Sequence, residues 1–253
     1  MSYFLCHGSP MLAIEESPYS LFLDSLGQSM NKPEGIIMFS AHWETRTPTI
    51  TYTDDTYATI HDFFGFPPEL YQVYYPAKGS TQMATKVRQN LEKNGWQVKF
   101  DAQRGLDHGA WVILKHLFPQ ADIPVVQISI NPFLPLAKQY QLGEALKDLD
   151  QEGLLVIGSG GTVHNLGEVR WGRETAEPWA VQFDDWLIDK VLNKDLDALF
   201  HFDQLAPYAQ KAVPRNEHLV PLYIALGSGS LDKPHLLYRD YEHGTVSLLG
   251  FQF

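Results

Sequence analysis

The chain has 253 residues, 44% of them hydrophobic and 19% charged, with a formal net charge of -11 and a single cysteine, Cys6. That length can bury a sizeable core, and that composition excludes disordered and fibrous classes. The acidic balance argues against nucleic acid and anionic membranes as partners, and one cysteine excludes an internal disulfide or a thiolate metal cluster, so a small molecule is the expected partner. No apolar window approaches a membrane span of about twenty residues, and no basic leader precedes the first apolar run, which points to a cytoplasmic protein.

In chain order, the first element is the apolar run "YFLC" at 3–6, which stops on His7 and the turn "GSP". Further β-rich runs follow: "GIIMFS" at 35–40, "TPTITY" at 48–53, "PVVQISI" at 124–130, "GLLVIGSG" at 153–160 and "TVSLLGF" at 245–251. The runs at 35, 124 and 153 are nearly continuous in Ile and Val, as strands covered on both faces are. Helical periodicity marks 80–95, where Ser80 is a candidate N-cap and Gly95 a stop, and also 135–149, 176–195 and 216–229. Strand and helix alternate without a linker or composition shift. The expectation is therefore an α/β fold, one domain over 1–253, with a central mostly parallel or mixed sheet flanked by helices. The Pro- and aromatic-rich stretch at 61–80 has no clean period and reads as a long loop.

Five histidines share one context. His7 follows "YFLC", His42 follows "IIMFSA", His108 sits in "LDHGAW", His164 follows "LLVIGSGGTV" and His218 sits in "RNEHLVPLY". Loops at the carboxyl ends of strands form the ligand-binding edge of open α/β sheets, so imidazoles leaving several strands there would meet. Neutral imidazole is a common ligand for Fe(II) and Zn(II), and a small set of such ligands leaves positions open for water or substrate. Any one of these histidines alone is more simply a hydrogen-bonded side chain at a sheet edge; five in one context favour a metal site. His116, His201, His235 and His243 lack such a strand, and His61 opens the aromatic loop, where packing outweighs substrate contact.

The motifs "CHGSP", "SAHW", "LDHGAW", "GSGGTVHNL" and "RNEHLVPLY", in this order, resemble the class III extradiol ring-cleavage dioxygenases, in particular the DOPA 4,5-extradiol dioxygenase group, related to the catalytic subunit of protocatechuate 4,5-dioxygenase. The one departure is in "GSGG", where the related group often has Ala at the second or third Gly. The resemblance implies metal ligation by His7, His42 and His218, with Glu217 in reserve for the third place. It implies His164 as the principal acid–base residue, able also to add to the metal shell, and His108 as proton donor and oxyanion stabiliser. Asn165 is then either a residue that orients a neighbour or a helix cap. Trp43, Phe63, Phe64, Phe66, Tyr71, Tyr74 and Tyr75 are either a pocket wall or ordinary packing, with packing favoured.

The implied substrates are a small aromatic diol and O2, and the implied cofactor is Fe(II), with Zn(II) able to occupy the same site. Extradiol cleavage needs three exchangeable metal positions, two for the diol oxygens and one for O2, which a three-residue shell leaves free. Two other readings stand beside it: a zinc-dependent hydrolase, and a non-catalytic metal- or small-molecule-binding protein on the same scaffold.

Overall fold

A computed structural model describes all 253 residues. The strands are β1 (Ser2–Cys6), β2 (Gly35–Glu44), β3 (Thr49–Thr51), β4 (Lys99–Asp101), β5 (Val125–Ile130), β6 (Leu154–Gly160), β7 (His235–Glu242) and β8 (Val246–Gln252). They form one eight-stranded mixed sheet in the order β4-β3-β5-β2-β6-β1-β8-β7. The central strands β5, β2, β6 and β1 run parallel, while β8 pairs antiparallel with β1 and β7, and β3 antiparallel with β5.

The helices are α1 (Pro18–Ser29), α2 (Thr81–Lys93), α3 (His108–Leu117), α4 (Leu136–Glu144), α5 (Pro178–Leu192), the short α6 (Leu196–Phe200), α7 (Phe202–Leu205) and α8 (Ala209–Ala212), and α9 (Val220–Ser228). Strand alternation sorts them into two layers. Tyr3, Leu5, Ile36, Met38 and Ile157 meet α1, α3 and part of the aromatic loop on one face. Phe4, Cys6, Ile37, Phe39 and Val156 meet α2, α4, α5 and α9 on the other.

The expected α/β architecture is the observed one, with shifts that have local causes. Ser80 caps α2, its Oγ accepting from the Met83 amide, and Gly95 ends the segment at φ 84°. The period read over 216–229 begins as a helix only at Val220, where Pro221 suits the first turn; residues 216–219 form the turn that carries Glu217 and His218. β2 runs on through His42, with a register shift against β5 between Phe39 and Glu44, a bulge of the kind that re-aims side chains beside a site. Helix α1, the short helices α6 to α8 and strands β4 and β7 were not anticipated. β7 reads His-Leu-Leu-Tyr-Arg-Asp-Tyr-Glu on an exposed sheet edge, where charged residues hide the strand pattern while guarding against edge pairing. No helix is long and apolar enough to cross a membrane. Cys6 is fully buried, and burial pushes its thiol up to about 12.

Candidate active site

Parallel register brings the first two ligand candidates together. β6 lies between β1 and β2, with Cys6 level with Gly160 and Ser40 level with Ser159. His7, just past β1, and His42, near the end of β2, therefore flank the same end of β6. Their rings meet across it, Nε2 to Nε2 at 3.1 Å, and His218 Nε2 joins at 3.3 Å from His42 Nε2. His218 arrives on the turn before α9 because β6 is stripped of side chains there. A Cβ at Gly160 would stand 2.0 Å from the His218 carbonyl oxygen, and the Gly161 amide donates to that same oxygen at 2.9 Å. At Gly161 an added Cβ meets nothing closer than 3.6 Å. Alanine is thus tolerable at the third Gly of "GSGG" and excluded at the second.

Two of the three rings have their tautomers set from behind. Ser159 Oγ spends its hydrogen on the Gly109 carbonyl at 2.5 Å, so it accepts from His7 Nδ1 at 3.0 Å. His218 Nδ1 donates to the Glu217 carboxylate at 2.9 Å. Both rings then present an unprotonated Nε2 to the centre. Lone pairs crowded this closely repel unless a cation lies among them. Two nitrogens each about 2.1 Å from one ion, at about 100° to each other, stand about 3.2 Å apart. The donor set therefore fits a divalent metal on three imidazoles. Glu217, held in reserve from the sequence, is on the Nδ1 side of His218, where it orients that ring.

His108 opens α3 and His164 follows β6. His108 lies with its ring centroid 3.9 Å from that of His42. His164 stacks on His218 at 3.4 Å with an interplanar angle of 11°, and it groups at ligand distance with Glu217 and His218 rather than with His7 and His42. All of these except His218 and Glu217 line one cavity of about 610 Å³. Gly109 lets α3 come this close, since a Cβ there would be 2.4 Å from Ser40 Oγ and 3.2 Å from His7 Nδ1.

Two carboxylates escaped the sequence reading. Asp62 Oδ1 accepts from both the His108 amide at 3.0 Å and His108 Nδ1 at 2.9 Å, and Oδ2 is 3.6 Å from His42 Nδ1. Burial pushes its carboxyl up, but the His108 hydrogen bonds outweigh this and hold it down at about 2. Its only sequence signal was the neighbour of His61 at the start of an aperiodic loop. Asp62→Asn is expected to lower turnover about 10- to 100-fold with folding intact, because the amide removes the charge that orients His108; steady-state oxygen uptake checks this. Asp107, fully buried, caps α3 and gathers Arg104, Ser40 and Gln127.

The other expectations divide. Phe63, Phe64 and Phe66 line the cavity, whereas Tyr75 is buried with its hydroxyl on the Phe118 carbonyl and Trp43 packs under Arg104. Tyr71 lies against Phe63, and Tyr74 is largely exposed. His61 donates from Nε2 to the Val73 carbonyl at 3.0 Å and packs on Trp111, a structural role. Asn165 is a cap, its Oδ1 accepting from the Gly167 amide at 3.1 Å. His243, set aside from the sequence, does reach the cavity wall.

Burial, reinforced by the neighbouring imidazoles, holds His42 and His164 down at about 4 and His7 and His218 well below their ordinary 6.5. Between these values the unfolded chain binds protons that the folded site refuses, so stability rises with pH there. The buried Asp184 carboxyl, pushed up to about 6, and the Glu217 and Glu242 carboxyls, also raised by burial, oppose this with three protons against four imidazoles. The metal-free protein is expected to lose stability as pH falls from about 6.5 to about 4 and to gain little from these groups above 6.5. Thermal melts across that interval check it, and a flat profile would contradict it.

Residues 2–251 match the family described as the catalytic LigB subunit of aromatic ring-opening dioxygenase. The chain belongs to this family. It is 38% identical to a 4,5-DOPA dioxygenase extradiol of Beta vulgaris, across 100% of this chain and 96% of that one. It is 35% identical to the protein of the same name from Escherichia coli (strain K12), across 98% and 93%. A crystal structure of an uncharacterized protein from Escherichia coli K12 superposes with a TM-score of 0.83 at 29% identity, covering 99% of this chain and 98% of that chain. As a LigB-family protein the chain is a non-haem, metal-dependent extradiol ring-cleaving dioxygenase, acting on an aromatic diol and O2.

Proposed function

We propose that Fe(II), held by Nε2 of His7, His42 and His218, serves the cleavage of a DOPA-like catechol to a ring-opened semialdehyde, with His164 as base and His108 as the second acid–base group. The observation that carries this is the convergence of three imidazole nitrogens at 3.1 and 3.3 Å beside two further cavity-lining histidines. The names of the relatives support the DOPA-like ring. A bound metal would acidify the diol hydroxyls and gather both reactants in one coordination sphere.

The chain's own residues do the rest. His164, neutral because burial holds it at about 4, takes a hydroxyl proton from the diol. His108 donates a hydrogen bond from Nδ1 to the Asp62 carboxylate, which leaves Nε2 an acceptor at rest. It therefore donates only after gaining a proton, and the Asp62 carboxylate stabilises the ring in that charged form. Phe63 and Phe66 wall the ring and exclude water. The hydrolytic zinc reading is not favoured, since the family and the named relatives are ring-opening dioxygenases and Glu217 is spent behind His218. The lone buried thiol suits a reducing compartment such as the cytoplasm.

Metal-free protein loaded anaerobically with Fe(II) or with Zn(II) is expected to consume O2 with a catechol, and to form the yellow semialdehyde, only with iron. Equal activity with zinc, or none with any catechol, would overturn the proposal. His7→Ala and His42→Ala should each be purified without iron, and a stoichiometric iron content in either would contradict the ligand assignment.

A further inference from the structure

We infer that the cavity selects catechols whose ring substituent carries a positive charge, with the Glu242 carboxylate as the receptor for that charge. This rests on the proposed reading that the diol binds on the His7, His42 and His218 side.

Glu242 ends β7 and lines the same cavity as His7, His42, His108 and His164. It reaches the turn directly after His7: Oε2 accepts from the Ser9 amide at 3.1 Å, and a Cβ on Gly8 would lie 3.1 Å from the same oxygen. That single amide is its partner in the protein. The arginines that could have neutralised it are engaged elsewhere. Arg173, in the adjoining depression, pairs with Glu177 at 2.6 Å, and Arg239 on β7 pairs with Asp185 at 2.7 Å. His243 Nδ1 accepts the Gly172 amide hydrogen at 3.3 Å. The cavity lining holds two carboxylates, Asp62 and Glu242, and no lysine or arginine.

A half-satisfied carboxylate in a low-dielectric wall gains a charge-assisted hydrogen bond from an incoming ammonium group. A carboxylate on the ligand would face like charge with no cation in the lining to offset it, unless the substituent brings its own ammonium, as a DOPA-like one does. Trp171, 70% exposed at the mouth, adds an aromatic face for the same cation. The diol end is thus read by imidazoles and the substituent end by Glu242.

The test titrates iron-loaded protein under argon with dopamine, 4-ethylcatechol and dihydroxyphenylpropionate, which present a cation, a neutral group and an anion on the same ring. Wild-type protein is expected to bind them in that order of strength, the amine about tenfold tighter than the neutral catechol. In Glu242→Gln the ratio of amine to neutral affinity should fall about tenfold. Equal affinities for the three in wild type, or an unchanged ratio in the variant, would overturn the inference. Oxygen uptake with 4-ethylcatechol is measured in parallel. Charge selection without uptake would remove the ring-cleavage reading and keep this one, and uptake without charge selection would do the reverse.

Discussion

His164→Ala is expected to cut kcat by about 10² to 10⁴, the usual range for loss of a positioned acid–base group, while catechol affinity changes far less. The ring lies flat on His218 at 3.4 Å, lines the cavity, and is neutral because burial holds it at about 4. That environment keeps a proton acceptor available at neutral pH without making it a strong binding contact. Steady-state oxygen uptake, compared with anaerobic catechol titration, separates the two effects. Near wild-type turnover would reject the assignment. Iron content of the same variant decides whether His164 adds to the metal shell: a ligand's loss would lower it, whereas retention of stoichiometric iron identifies a proton-transfer group alone.

Asp107→Ala is expected to destabilise the fold by about 3–5 kcal/mol, the cost of removing one member of a buried charged network. Its carboxylate is fully buried and accepts from Ser40 Oγ, Gln127 Nε2, Arg104 Nη2 at 3.0 Å and the Ala110 amide at 3.2 Å. Without it a guanidinium with little exposure is left without its counter-charge, and α3 loses its cap. Arg104 also reaches the His42 carbonyl at 3.3 Å, and Ser40 Oγ accepts from the His42 amide at 3.2 Å, so the damage extends to the metal site. Urea unfolding checks the size of the loss, and a change below about 1 kcal/mol would show the network to be dispensable.

The convergence of His7, His42 and His218 was legible because each stands at a break in a pattern. His7 and His42 interrupt apolar runs, and His218 interrupts a helical period. Imidazole at the end of a buried strand is conspicuous because nothing about the strand requires it. Asp62 was not legible, since its partner His108 is 46 positions away and its loop has no period to break. Asp107 could be read as a cap for the helix it precedes, but its other donors come from β2, β5 and Arg104, and only the folded chain assembles them. β7 was hidden because an exposed edge is written in polar residues, and with it went Glu242. Sequence reasoning thus found the converging histidines and, apart from Glu217, missed the carboxylates that orient or support them.

The placement of the only thiol matters for a chain that handles catechols. Such diols oxidise in air to quinones, electrophiles that arylate thiolates. Cys6 stands next to His7, yet it points into the far layer of the sheet, fully buried and protonated at any physiological acidity. By-products of the very compounds it processes therefore find no accessible thiol on this protein, which should spare it one common form of self-inactivation.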